Sequence, residues 1–199
     1  LPGMAARTII ASGVSKSYSW TGGRVGWAVL PPAEEALMFK TLNINYFSCI
    51  SAYNQLGAKL AIESPESQPV MERMVRAFQE RRDDVVGALN SIEGIHCQMP
   101  KGAFYVFPNI AGLCERLGAI ELYERLPADV QPRTSPSTLV QMFLLFRYGV
   151  ATLDRRAFGV IGSEGRHFLR ISVATALDDL KEGMERIRVA SQDRDGFGA

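Results

Sequence analysis

Apolar residues in the first third of the chain fall into short β-branched runs followed by helically spaced positions. The runs predict a buried strand over residues 7–14 and a second strand over residues 24–30. Residues 31 and 32 are both proline and end the second strand, because proline cannot donate a hydrogen bond to a sheet. Helical spacing then predicts helices over residues 34–43 and 53–63.

A polar segment with two prolines, residues 64–69, interrupts this pattern and indicates a boundary. We therefore predict one domain over residues 1–66 and a second domain over residues 67–199. The second domain begins with a long amphipathic helix, and Gly94 is expected to cap the C-terminal end of that helix. One stripe of the helix carries the apolar residues Met71, Met74, Val75, Phe78, Val85 and Leu89.

The rest of the chain alternates short strands with helices. Thr175 and Asp178 predict a capping box at the start of the last helix, and the polar tail 191–199 is expected to fray. The pattern as a whole predicts an α/β protein whose second domain has a largely antiparallel sheet. The predicted segments are a hairpin of strands 95–99 and 103–107, helices over 112–126 and 138–147, and strands over 150–153 and 168–174.

Composition excludes several classes of function. The 199 residues include 22 basic and 21 acidic side chains, and a net charge of +1 gives no electrostatic footprint for nucleic acid or an anionic membrane. The apolar stretches are far shorter than the ~20 residues that cross a bilayer, and no signal peptide is visible. Cys49, Cys97 and Cys114 are widely spaced and match no metal-ligand pattern. We therefore expect three free thiols in a reducing compartment, the cytoplasm, and no metal.

The most chemically specific stretch lies directly after the first predicted strand, over residues 12–26. Lys16 is a candidate Schiff-base nucleophile, because an amine on a rigid element near anion-binding groups suits that role. Arg24 follows it closely, and the planar fork of an arginine can donate two hydrogen bonds to a phosphate. Residues 21–23 (Thr-Gly-Gly) give the backbone room to approach a ligand. A lysine with a phosphate-binding arginine indicates pyridoxal phosphate as the cofactor.

Four blocks, in order, resemble the class I/II aminotransferases, which are fold type I pyridoxal-phosphate enzymes of the aspartate aminotransferase type. Lys16 with Thr-Gly-Gly-Arg-Val-Gly at residues 21–26 resembles the cofactor-lysine motif of that family, and residues 1–10 resemble the approach to it. Pro-Lys-Gly-Ala-Phe-Tyr-Val-Phe-Pro at residues 100–108 resembles its P-x-G-A-F-Y hairpin. Phe-Leu-Arg-Ile-Ser at residues 168–172 resembles its arginine strand. The resemblance implies the C-terminal part of such a fold, with the end of the large-domain sheet followed by a small α/β domain.

The resemblance also implies roles for single residues. Lys16 would hold the cofactor and move the α-proton of the substrate, and Arg24 would bind the cofactor phosphate. Arg170 would bind the α-carboxylate of the substrate. Ser15 either adds a hydroxyl to the phosphate or packs. Ser48 and Ser51 lie in a segment resembling the loop that reaches the neighbouring subunit's cofactor phosphate, with a helix N-cap as the competing role for either serine.

Several side chains have competing explanations. Burying a charge in an apolar strand is costly, so the pattern around Arg170 calls for a partner, either a substrate carboxylate or a structural Asp or Glu. Asp154 and Arg155 stand where the family usually has Pro-Gly. With Arg156 they either shape the choice of substrate or form a solvated loop. Tyr105 is expected to pack in the core.

The implied activity is pyridoxal-phosphate-dependent transfer of an amino group between an amino acid and a 2-oxo acid, with aspartate- or glutamate-like substrates. Members of the family carry an N-terminal half that has no counterpart here, so the resemblance implies a missing half as partner and a homodimer. Activity of the chain alone stays open. Two alternatives also stay open: another reaction on the same scaffold, such as that of a lyase or decarboxylase, and an aminotransferase-like sensor domain of a transcription regulator.

Overall fold

The computed structural model describes residues 2–159 and 166–198. Leu1, which begins the resembling block 1–10, and Ala199, which ends the tail, lie outside the described residues. Two compact units make up the chain, one ending at Val75 and the other beginning at Arg76. The domain boundary between residues 66 and 67 stays a prediction.

The first unit contains a two-stranded antiparallel sheet. Strand β1 (Ile10–Gly13) pairs with β2 (Gly26–Val29). A short helical turn, α1 (Val14–Ser17), follows β1 directly, and the 3-10 turn Thr21–Gly23 precedes β2. The two predicted helices are confirmed, the first of them longer than expected, as α2 (Ala33–Phe47) and α3 (Ala52–Glu63).

The first strand differs from its prediction in length and in burial. It covers four residues, it is preceded by the 3-10 turn Ala5–Arg7, and the Ile10 side chain is 57% exposed. The prediction of burial assumed a sheet covered on both faces. In the described part of the chain this sheet has only two strands, so apolar side chains such as Val29 stay exposed.

The second unit contains a three-stranded sheet and the main hydrophobic core. Strand β5 (Leu169–Ser172) lies in the middle and pairs antiparallel with β3 (Tyr105–Val106) and β4 (Leu153–Asp154). This confirms an α/β chain with an antiparallel sheet in its second part. The core combines Val85, Leu89, Leu113, Val140, Leu144, Leu169 and Ile187. The helices of this part are α4 (Ser67–Asn90), which begins in the first unit, α5 (Ala111–Leu117), α6 (Ala119–Glu124), α7 (Pro136–Tyr148), α8 (Leu177–Ala190) and α9 (Arg194–Gly198).

Two glycines explain departures from the predicted helices. Gly118 has a φ of 78° and separates α5 from α6, where a single helix over 112–126 was expected. Gly94 does not cap α4, because that helix already ends at Asn90. It instead has a φ of 86° and approaches Gly112 so closely that a Cβ atom at residue 94 would lie 2.6 Å from the Gly112 backbone carbon.

Where the sequence predicts a hairpin of strands 95–99 and 103–107, the described residues form one isolated β-bridge. His96 and Asn109 exchange two backbone hydrogen bonds, of 2.9 Å and 2.8 Å, in an isolated antiparallel bridge. Strand β3 pairs with β5 rather than with residues 95–99. The long-range pairing with β5 therefore replaces most of the local ladder that the sequence suggested.

The start of α8 and the tail also differ from expectation. The Thr175 hydroxyl donates to the Asp179 carboxylate (3.1 Å) rather than forming a capping box with Asp178. The tail is not frayed over residues 194–198 but forms α9. Asp193 anchors this helix by accepting a hydrogen bond from the Gly196 backbone (2.9 Å).

Candidate functional site

Lys16 lies on the helical turn α1, two residues after the buried Val14. The Val14 side chain is completely buried, and its backbone N–H donates to the carbonyl of Val25 next to β2 (3.1 Å). This bond ties the turn to the sheet. Lys16 is exposed on that anchored turn, and its neighbour Ser15 is half-buried. The fold thus presents the amine of Lys16 from a short, fixed element.

Trp20 packs beneath the backbone that leads to Arg24. A Cβ atom at Gly23 would lie 2.5 Å from the indole, and one at Gly57 would lie 2.7 Å from the far end of the same ring. Asn54 adds a hydrogen bond from its amide to the carbonyl of Gly23 (3.0 Å). Arg24 follows in the left-handed conformation, with a φ of 51°. The glycine of this motif therefore permits close packing with Trp20, and its arginine supplies hydrogen-bond donors.

Arg24 lines an open groove of about 810 Å³ that runs along β2, α2 and the start of α3. We call it the Arg24 groove. Its polar lining includes Ser48 and Ser51, whereas Ser15 and Lys16 are not among the lining residues. One guanidinium nitrogen of Arg24 donates to the carbonyl of Thr21 (3.0 Å). The structure thus brings Arg24 and Ser48 into one groove. The other lining residues are Gly23, Gly26, Ala28, Leu30, Ala36, Phe39, Lys40, Asn43, Ile44, Phe47, Cys49, Ile50 and Asn54.

The two serines at the groove differ in their backbone positions. Ser48 ends α2 with a φ of 61°, so the expectation that it caps a helix N-terminus is wrong. Ser51 does occupy the N-cap position of α3, yet its side chain makes no cap hydrogen bond. Its hydroxyl oxygen is buried and has no hydrogen-bond partner within residues 2–159 and 166–198. A buried hydroxyl without a partner is costly, which makes this oxygen a natural contact for a ligand.

Arg170 lies on β5, in the second unit, between the buried Leu169 and Ile171. Its guanidinium carbon is 4.2 Å from the ring centroid of Tyr105 and 4.9 Å from that of Phe158. In the described part of the chain it forms no ion pair with an Asp or Glu side chain. The structural carboxylate considered above is thus not found there, and aromatic rings take its place.

Asp154 is buried and is neither a solvated loop residue nor exposed for substrate binding. Its carboxylate accepts hydrogen bonds from the hydroxyls of Ser135 (3.2 Å), Ser137 (2.7 Å) and Thr138 (2.5 Å) at the start of α7. The role is structural, since it ties β4 to the N-terminus of α7. Sequence reasoning missed this cluster, although the run Ser-Pro-Ser-Thr before an apolar helix was a visible signal.

The two arginines after Asp154 begin a 3-10 turn, Arg155–Phe158. Arg156 donates to the carbonyl of Pro132 (2.6 Å) and so fastens this turn to the loop before α7. The loop is thus held by hydrogen bonds rather than merely solvated. A direct role of these arginines in the choice of substrate stays a prediction.

The His, Cys, Asp and Glu side chains that the structure describes form no visible metal-ligand set. Among the described residues no three His, Cys, Asp or Glu side chains come together as a metal site. The three cysteines are free, with Cys49 exposed and Cys97 and Cys114 buried. Burial, with nearby Asp154 and Glu115, raises the pKa of Cys114 to about 12. No helix in the described segments is long and apolar enough to span a bilayer.

The chain is similar to aminotransferases along nearly its whole length. It is 35% identical over 186 residues to a probable aspartate/prephenate aminotransferase of Aquifex aeolicus, and 35% identical over 189 residues to an aspartate aminotransferase of Rhizobium meliloti. These alignments cover 94% and 95% of this chain but only 41% and 42% of the relatives. The chain thus spans about two fifths of the length of the curated relatives it matches.

Solved structures agree with the sequence comparison. The crystal structure of an aspartate aminotransferase from Rhizobium meliloti superimposes with a TM-score of 0.77 at 34% identity, covering 96% of this chain and 43% of that one. An aromatic aminotransferase from Pyrococcus horikoshii gives a TM-score of 0.80 at 30% identity, covering 98% of this chain and 46% of that one. The family model for aminotransferase class I and II matches residues 2–187. Members of this family depend on pyridoxal phosphate, and the chain belongs to the aminotransferase class I and II family.

Proposed function

We propose that this chain supplies the catalytic lysine and two anion-binding arginines of a pyridoxal-phosphate-dependent aminotransferase. The reaction is transfer of an amino group between an amino acid and a 2-oxo acid. An aspartate-like amino acid is the favoured substrate, because the two curated relatives reported above are named for aspartate. In this proposal Lys16 is the catalytic residue, Arg24, Ser48 and Ser15 serve the cofactor, and Arg170 binds the carboxylate of the substrate.

The observation that carries the proposal is the Arg24 groove. It joins a guanidinium, the Ser48 hydroxyl and the Ser51 hydroxyl, which has no hydrogen-bond partner among the described residues. These groups can donate hydrogen bonds to a phosphate. The residues present therefore fit the phosphate of the cofactor, with Arg24 as the charged anchor and Ser48 in the lining of the same groove. When bound, pyridoxal phosphate supplies the electron sink that stabilises negative charge at the α-carbon of the substrate.

The remaining steps belong to this chain's own side chains. Arg170 holds the carboxylate of the substrate and so orients its α-carbon. The amine of Lys16 removes the proton from that carbon as a general base and would deliver it, as a general acid, to C4′ of the cofactor. Its place on the anchored turn α1 suits this task, because proton transfer requires a group held within hydrogen-bond distance of the reacting atom.

A complete enzyme requires a partner for the first unit. Both helices α2 and α3 expose large apolar side chains, among them Leu37 at 63%, Phe47 at 74% and Leu60 at 68%. Large apolar side chains left exposed in such number point to an interface. We propose that an N-terminal half, like the one its relatives carry, covers this surface, and that the complete protein is a homodimer. The free thiols support a cytoplasmic location.

The first experiment is reduction with borohydride after pyridoxal phosphate is added to the chain, followed by peptide mass mapping. We expect the reduced adduct on Lys16 and its loss in Lys16→Ala. The matched control is Lys59→Ala, which removes an exposed lysine of α3 outside the groove. Labelling of Lys40 in the groove, or of surface lysines generally, would contradict the assignment of Lys16.

The second experiment supplies an N-terminal half of the kind that the relatives carry. The chain is co-expressed with the N-terminal part of the Rhizobium meliloti relative, and amino transfer from aspartate to 2-oxoglutarate is measured. We expect transfer that depends on Lys16 and falls strongly in Arg24→Gln. Decarboxylation or elimination without amino transfer would favour another reaction on the same scaffold.

A further inference from the structure

The face of the three-stranded sheet opposite the core carries Arg170 among aromatic side chains. Side chains alternate along a strand, so Leu169 and Ile171 point into the core and Arg170 points to the other face. Tyr105 pairs with Ser172 in the register of β3 and β5. It therefore shares the face of Arg170 and lies diagonal to it, within reach of a long side chain.

Phe158 reaches the same arginine from a different element. Leu153 of β4 pairs with Arg170, and the 3-10 turn that follows β4 ends at Phe158. The Phe158 ring is in turn contacted edge-on by Phe107, with ring centroids 6.3 Å apart, and Phe107 stacks on Phe168 at 5.1 Å. The guanidinium is thus bordered by two rings that other parts of the sheet hold in place.

An aromatic ring and a carboxylate bind a guanidinium in different ways. A ring attracts the flat face of the cation, whereas a carboxylate accepts hydrogen bonds from the N–H groups at its edge. Within residues 2–159 and 166–198, no side-chain or backbone oxygen accepts a hydrogen bond from the Arg170 guanidinium. The two rings therefore orient the guanidinium. Its N–H donors, which lie in the plane of the group, remain available to a partner that accepts two hydrogen bonds.

We infer that Tyr105 and Phe158 are positioning residues that hold the Arg170 fork for the carboxylate of the substrate. This inference rests on the proposed function, because that function assigns the carboxylate to Arg170. It replaces the expectation that Tyr105 only packs in the core. The rings contribute orientation and local attraction, and Arg170 alone touches the substrate.

The test is nuclear magnetic resonance of the 15N-labelled chain, observing the Arg170 Nε–H signal during titration with 2-oxoglutarate. The signal that disappears in the Arg170→Lys variant is assigned to Arg170. We expect ring currents to shift the signal upfield in the unmodified chain, and 2-oxoglutarate to move it saturably while its dimethyl ester does not. Tyr105→Leu and Phe158→Leu each reduce the ring-current shift and weaken 2-oxoglutarate binding by roughly two- to thirtyfold, the range of a cation–π contact.

Phe146→Leu is the matched control, because Phe146 is an exposed aromatic residue of α7 that is 76% accessible. We expect this control variant to leave the Arg170 Nε–H signal and the binding of 2-oxoglutarate unchanged. Unchanged binding in both ring variants, together with loss of binding in Arg170→Lys, overturns the role of the rings and leaves the proposed function standing. Failure of the unmodified chain to bind 2-oxoglutarate at Arg170 contradicts the assignment of the carboxylate itself, and the inference falls with it.

Discussion

The indole of Trp20 lies directly against the Cα atom of Gly23, so that a methyl group at residue 23 would lie 2.5 Å from the ring. The adjacent Gly22 has no atom within 4 Å of the corresponding position. Two neighbouring glycines of one motif therefore serve different purposes. Gly23 permits a close approach of backbone and ring, and that approach supports the turn that carries Arg24.

This difference predicts opposite outcomes for two alanine substitutions. Gly23→Ala forces Trp20 to move and destabilises the chain by about 1–3 kcal/mol, the usual cost of overpacking. Gly22→Ala is nearly neutral, because the added methyl group meets open space. Urea unfolding followed by tryptophan fluorescence measures both variants. Equal stability of the two variants would show that Trp20 does not pack against residue 23.

The hydroxyl cluster around Asp154 predicts a strong effect on stability. Asp154→Ala removes an acceptor shared by three hydroxyls, of which Ser137 is itself buried, and is expected to cost about 2 kcal/mol or more. Asp154→Asn keeps one acceptor oxygen and is expected to cost less. Asp129→Ala, at an exposed aspartate of the same unit, serves as the control in thermal unfolding. A loss no larger than that of the control would argue against the cluster.

Burial lowers the pKa of His167 below its ordinary value of 6.5, against the opposing influence of Asp154 and Glu115. The unfolded chain therefore takes up a proton at this residue at a higher pH than the folded chain does. Stability is retained above pH 6.5 and is lost as the pH falls below that value, towards the pKa of the folded state.

The corresponding measurement is the free energy of unfolding between about pH 7 and pH 5. His167→Gln is expected to flatten this pH dependence, since glutamine does not titrate. His96→Gln changes the other histidine, which is exposed, and serves as the control. An identical slope in both variants would exclude His167 as the source.

The three thiols are expected to react at very different rates. Cys49 is exposed, whereas burial raises the pKa of Cys97 and raises that of Cys114 to about 12. Because the thiolate is the reactive form, an aromatic disulfide reagent at about pH 8 modifies one thiol quickly in the folded chain. Denaturant exposes all three. Cys49→Ser abolishes the fast phase, and its persistence in that variant would refute the assignment.

The local pattern along the chain was sufficient for the long helices. Helical spacing in α4 and α8 repeats over several turns, and such a signal depends only on which face becomes buried. The motif around Lys16 and Arg24 was equally local. Its lysine and arginine lie close together in the sequence, so the motif is visible there, and the family resemblance supplies their expected roles.

What the sequence by itself determined is therefore the α/β class, the aminotransferase-like motifs and the candidates Lys16, Arg24 and Arg170. The tertiary structure decided which groups those residues contact. Strand β3 pairs with β5 instead of forming the predicted hairpin, and this pairing places Tyr105 next to Arg170. Asp154 is buried, and its carboxylate accepts structural hydrogen bonds. The physical reason is that contacts between residues distant in sequence depend on strand register and on which face is covered, and no local pattern encodes either.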